Sequence, residues 1–224
     1  KAERGYVLAS GHVSPPFKSS PVELDTGMNV RRAFKAIAWS CLSHLSNNEN
    51  GMMENRDIEY LHQMRVALRR ERSAFSIFSK AFSKAALAPM REEHPGMLAL
   101  RKSSEQVRRE LNHHAREAIA SSHYTVLMLK LGAWLSAESW LVPAETPSND
   151  AVENVRSEME VKTFSGALLS QRHGQLEKYG KKLKKLSLTE LHELRILIKK
   201  QRYAAEFFCG LYRDKKARRY IKSL

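Results

Sequence analysis

The chain has 224 residues, enough to bury a sizeable core as one large domain or as two packed halves. Hydrophobic residues make up 42% of it, which excludes a solvated, disordered polyelectrolyte, and no apolar run approaches the length needed to span a bilayer. Its 38 Lys and Arg outnumber 24 Asp and Glu, giving a net charge of +14 and a pI near 9.9, so partners are sought among polyanions: nucleic acid, a phosphate polymer or an anionic membrane.

Residues 1–27 carry Pro15, Pro16, Pro21 and four serines and read as an extended linker. From Met28 the text "MNVRRAFKAIAWSCLSHL" predicts a helix. Val30, Phe34, Ile37, Ala38, Cys41 and Leu45 fall on one face, with Arg31, Arg32 and Lys35 beside them. "SNNENG" is expected to stop it. A second helix is predicted from near Asn55, a candidate N-cap with Asp57 in the first turn, to about Lys84. Pro89, Pro95 and Gly96 mark a break. A long amphipathic helix is predicted from about Met97 to Ala120, followed by a shorter, more buried one on "YTVLMLKLGAWL" that ends before Pro143 and Pro147. The helical pattern resumes from about Asp150 to Lys185, with interruptions expected at Gly166, Gly174 and Gly180. "SLTE" at Ser187 to Glu190 matches a capping box and opens a last helix through Tyr212. Alternating β patterns are absent, so the fold class is all-α.

One stretch is written twice. "LHQMRVALRRERSAFSIF", Leu61 to Phe78, returns as "LHELRILIKKQRYAAEFF", Leu191 to Phe208. In each, a His is followed by basic residues three, seven, eight and ten positions later. At helical spacing His62, Arg65, Arg69 and Arg72 fall within about 80° of one another, as do His192, Arg195, Lys199 and Arg202. Met64, Leu68, Phe75 and Phe78, and in the second copy Leu194, Ile198, Ala205 and Phe208, lie on the far side. A merely soluble face usually mixes signs to gain i,i+4 pairs. These stripes do not, and their mutual repulsion is a cost that an anionic ligand relieves. They carry His, Arg and Lys without stacking groups, because Phe75, Phe78, Phe207 and Phe208 sit at core-like positions. Base readers need Asn, Gln or Arg aimed at base edges, and single-strand binders need exposed aromatics. A ligand that is phosphate and little else suits the stripes better.

The pair "HQMRVALRRERSAF" and "HELRILIKKQRYAAEFF", with "LGAWL" and "KYGKKLKKLSLTELHELR", resembles the CHAD family, the conserved-histidine α-helical domain, over most of Met28 to Leu224. The resemblance implies a 1–27 linker and a 28–224 helical domain, with halves of about 28–121 and 122–224 forming two pseudo-symmetric bundles packed together around a basic groove or pore. It implies binding of inorganic polyphosphate. His62, Arg65, Arg69, Arg70 and Arg72, with His192, Arg195, Lys199, Lys200 and Arg202, are the implied ligand-facing residues; Lys35, Arg172, Lys178, Lys181 and Lys182 are further basic positions on flanking helices. Gln175 and Glu177 stand where many relatives are basic. The opening "KAERGYVLASG" resembles the connector after a CYTH triphosphatase domain, which implies such a domain upstream. An accessory role to that enzyme, or RNA binding through the same charges, are the alternative functions.

Other motifs point away from catalysis or metal binding. "EMEVK", Glu158 to Lys162, spells the E-x-E-x-K of CYTH enzymes, but it stands among helical residues without the charged strands that close a tunnel. "HELRI" at His192 has Ile196 where a zincin needs its second His. His113 and His114 are adjacent and diverge by about 100° on a helix. His44, His94, His123 and His173 are expected at the surface, and Trp39, Trp134 and Trp140 in the core. No phosphate-cradling Gly loop or nucleophile elbow is present. The expectation is a binding protein without catalytic residues, metal or cofactor. No membrane partner is expected. Cys41 and Cys209 lack C-x-x-C spacing and suggest a reduced cytoplasmic compartment, to which the family resemblance adds association with polyphosphate granules.

Overall fold

The computed structural model describes residues 15–54, 57–79, 81–82, 108–138, 155–212 and 215–224. Among these the chain is all-α. The only β-type pairing among them is an isolated antiparallel bridge between Asn29 and Glu160. The helices are α1 (Val30–Ser46), α2 (Glu49–Glu54), α3 (Ile58–Phe78), α4 (Arg108–Ala120), α5 (Ser122–Ala137), α6 (Val161–Gly180), α7 (Leu188–Phe208) and α8 (Lys215–Ser223), with single 3-10 turns at Leu183–Lys185 and Cys209–Leu211.

Several boundaries correct the sequence reading. "SNNENG" does stop the first helix, since α1 ends at Ser46, but the short α2, Glu49–Glu54, starts within that stretch. The repeated helix starts at Ile58 rather than Asn55, which lies outside the described residues, as do 97–107 of the long third helix. Asp57 Oδ1 accepts from the Glu59 amide at 2.8 Å, capping α3 where Asn55 was expected to. Gly166 and Gly174 do not interrupt α6, which ends at Gly180. One glycine costs about 1 kcal/mol in a helix, and around Gly166 the burial of Ser165 and Leu168 offsets that. The capping box at Ser187 forms as expected: Ser187 Oγ accepts from the Glu190 amide at 3.3 Å and Glu190 Oε2 accepts from the Ser187 amide at 2.8 Å. That helix closes at Phe208 rather than Tyr212. α5 is capped by Ser121 and stops where Glu138 turns left-handed, at φ 53°.

The chain folds into two compact units. One comprises the described parts of Lys1–Ser20, Ala38–Glu71 and Lys84–Trp140, the other those of Pro21–Ile37, Arg72–Ser83 and Leu141–Leu224.

In the first unit Leu61, Met64, Ala67 and Leu68 of α3 pack with Leu45, Met52, Ala115, Ile119 and Tyr124. α2 has to approach α3 closely: a Cβ on Gly51 would run into the Tyr60 ring. Arg116 Nε donates to the Met52 carbonyl at 2.9 Å, which satisfies part of the open end of that short helix. Asn48 pins the preceding segment, since its side chain both accepts from the Phe17 amide and donates to the Phe17 carbonyl, each at 3.0 Å.

In the second unit the core is aromatic. Phe78, fully buried, lies 5.2 Å from Phe34, 5.4 Å from Phe164 and 6.0 Å from Phe208 between ring centroids. Val22 and Leu24 of the segment read as linker are also buried, and Gly210 sits where a Cβ would come within 3.2 Å of the Val22 carbonyl. The "EMEVK" residues are structural. Met159 accepts from the Val30 amide and Val161 donates to the Met28 carbonyl, both at 2.9 Å, while Glu158 pairs with Arg31 at 3.2 Å and accepts from Asn29 at 2.8 Å.

Truncating Phe78 removes the ring on which Phe34, Phe164 and Phe208 converge. Phe78→Ala is expected to lower stability by about 3–5 kcal/mol, read as a fall in the urea midpoint. Phe17→Ala, at a ring 39% exposed, should cost less than about 1.5 kcal/mol.

Candidate functional site

The two copies of the repeated text form α3 and α7, and each helix is two-sided. On α3, His62, Arg69 and Arg72 are exposed and Arg65 is half-buried, whereas Met64, Leu68, Phe75 and Phe78 are buried. On α7, His192, Arg195, Lys199 and Arg202 are exposed, Leu194, Ala205 and Phe208 are buried, and Ile198 is half-buried. Within each helix the cations and the apolar residues thus lie on the sides that their spacing predicts.

The electrostatics of the first stripe are unfavourable to its own charge. Partial burial pushes the Arg65 guanidinium below its ordinary range, and the nearby positive charge of Arg69 pushes it the same way. The second stripe is partly neutralised, since Arg202 Nε donates to Glu206 Oε1 at 2.9 Å. In the first copy the corresponding position is Ser76.

Arg70 departs from the implied set. Only 4% exposed, it is turned into its unit, where its charge and a side-chain hydrogen bond act on Cys41. Its counterpart Lys200 is exposed, and the Lys200 carbonyl accepts from Arg172 Nη1 at 3.2 Å. Arg172 is half-buried, and burial pushes its guanidinium down. Lys35 is half-buried on α1; Lys178, Lys181 and Lys182 are exposed at the end of α6 and the turn after it. Lys184, Lys185, Lys215, Lys216, Arg218, Arg219 and Lys222 lie outside the residues that the family resemblance implies, yet all are exposed. Their signal was the raw clustering of positive charge.

His44 corrects the surface expectation. It is 1% exposed, Nε2 lies 3.1 Å from Gln63 Oε1, and burial lowers its pKa. Trp39 is exposed and Trp134 buried, while Trp140 and His94 fall outside the described residues. His113 is exposed, 3.7 Å from Glu117, and the His114 side chain is outside the described set. Among the described residues no three His, Cys, Asp or Glu side chains gather as a metal site. Cys41 and Cys209 are free thiols, and burial pushes Cys41 up to about 12. Among the described residues no helix is long and apolar enough to cross a membrane.

The family model of the CHAD domain matches residues 36–94 and 85–224. The chain belongs to the CHAD family. The crystal structure of the CHAD domain from the plant Ricinus communis is similar to it over 93% of this chain and 75% of that one, at 30% identity and a TM-score of 0.71. No curated protein matches the chain. Both stripes of this CHAD domain lie within the matched residues.

Behind the first stripe, this CHAD domain buries a titratable group. Burial pushes the Glu71 carboxyl up to about 7 from its ordinary 4.5. A carboxyl raised on folding favours the protonated fold, so this stabilisation is complete below about 4.5 and is lost as pH rises through about 7. Glu71→Gln cannot ionise. Its stability relative to wild type should therefore rise by about 3 kcal/mol across that window and stay level above it, in urea titrations at stepped pH.

Proposed function

We propose that this CHAD domain binds inorganic polyphosphate through the exposed faces of α3 and α7. The observation that carries the reading is the first stripe's run of like charges, in which Arg65 is disfavoured as a cation by burial and by Arg69. A chain of phosphates brings counter-charge to such a face, and guanidinium groups grip phosphate oxygens by charge-assisted hydrogen bonds. His62 and His192 head the two stripes and add further donors.

A phosphate polymer is favoured over a base-bearing one because the four phenylalanines of the two repeated helices are not available for stacking. Phe75, Phe78, Phe207 and Phe208 are all buried. Lys200 on α7 and Lys35, Arg172, Lys178, Lys181 and Lys182 on other elements are the further cations of this reading. Arg70 supports the helix from inside its unit. The domain acts by binding, without catalytic chemistry of its own, and an upstream CYTH domain is the enzymatic neighbour we propose for it.

Arg65→Glu and Arg195→Glu should each weaken polyphosphate binding by about 1–3 kcal/mol with helicity by circular dichroism unchanged, because both side chains lie opposite the buried faces. Lys18→Glu, in the segment before α1, should leave binding intact. If about six to eight phosphates are neutralised, log affinity should fall against log salt with a slope of about −4 to −6, as for single-stranded nucleic acid. A slope near zero would contradict the mechanism.

A further inference from the structure

From Ser170 to Glu193 the chain contains no buried residue. α6 buries Val161, Ser165 and Leu168, all in its first half, and α7 begins to bury only at Leu194. The end of this helical hairpin thus buries no side chain fully, yet it carries Leu188 at 87% exposure, Leu183 at 52% and Leu191 at 39%. Exposed lysines stand beside them in the sequence: Lys178, Lys181, Lys182, Lys184 and Lys185. No acidic residue occurs between Lys178 and Thr189. Beyond it, Glu190 is held in the capping box and Glu193 accepts from the Tyr179 hydroxyl at 3.3 Å.

Single exposed leucines are ordinary, and one of these has a local reason. Leu191 and Leu186 occupy the positions of a hydrophobic staple around the Ser187 cap. Leu188 and Leu183 have no such role. Leu188 is the first residue of α7, where the cap is complete through Ser187 and Glu190, and Leu183 lies in the 3-10 turn. A phosphate polymer lying on the lysines would leave both leucines in water. A lipid surface uses both kinds of side chain.

We propose that the α6–α7 tip docks on anionic membrane surface, with Leu183 and Leu188 entering the boundary between headgroups and acyl chains and the lysines meeting headgroup phosphates. Lysines near such a surface contribute additively and are sensitive to salt, and small apolar insertions complete the attachment. Such a contact lies on the bilayer and needs no spanning helix, so it modifies the expectation of no membrane partner, which rested on the absence of a span.

Co-sedimentation of the whole chain with phosphatidylcholine vesicles, with and without one-third phosphatidylserine, tests this. Wild type should bind the anionic vesicles and not the neutral ones. The Leu183→Ser, Leu188→Ser double variant should lose about tenfold in vesicle affinity while binding polyphosphate as wild type does. Both sites are exposed, so folding should survive. Absence of wild-type binding to anionic vesicles would overturn the proposal. So would full vesicle binding by the leucine variant, because the attachment would then be charge alone.

Discussion

Everything in this domain depends on α3 and α7 being held by their backs. Like charges three or four residues apart on a helix cost a few tenths of a kcal/mol per pair, so an isolated helix carrying His62, Arg65, Arg69 and Arg72 in line would be poorly favoured. Burying a Leu, Met or Phe side chain returns about 1.5–3 kcal/mol. α3 buries Met64, Leu68, Phe75 and Phe78, and α7 buries Leu194, Ala205, Phe207 and Phe208. Burial wins by an order of magnitude, and the core fixes the stripe in a geometry that its own electrostatics oppose. The ligand we propose would then meet cations whose ordering has already been achieved by folding.

The two copies are not electrostatic equals. Arg202 has Glu206 one turn on, whereas the same place after Arg72 holds Ser76. Arg65 is half-buried and its partner in sequence, Arg195, is exposed. An exposed pair such as Arg202–Glu206 is worth little in stability, but it competes with a ligand for the guanidinium. The first stripe is thus the more constrained of the two and the second the more solvated. Arg70 and Lys200 make the same point at the eighth position of the motif: one is 4% exposed, the other is in solvent.

Much of the fold was legible because its determinants are periodic. The apolar spacing from Met28 onward, the repeated text and the capping box at Ser187 each act through near neighbours, and α1, α3 and α7 follow from them. Features that depend on distant packing were not legible. His44 has no sequence mark that distinguishes it from His123, yet Gln63 makes a buried site for it. Val22 and Leu24 stand in a Pro- and Ser-rich segment, but they are buried in the second unit. Gly166 remains helical between the buried Ser165 and Leu168, whose packing outweighs its low propensity. In the candidate site the stripe residues could be read from spacing, whereas the burial of Arg70 could not: its neighbour Arg69, one position away, points to solvent.

The claim that the stripes recognise phosphate itself, rather than a base-bearing polymer, is tested most directly by competition. Filter binding with labelled polyphosphate, challenged by RNA of equal phosphate content, separates the two ligands that the net charge of +14 would attract alike. If the stripes read phosphate alone, RNA should displace polyphosphate only at a large excess, and Arg65→Glu should weaken polyphosphate binding more than RNA binding. Displacement by RNA at parity, with both ligands equally affected by the substitution, would contradict a polyphosphate-binding site and leave a general polyanion surface.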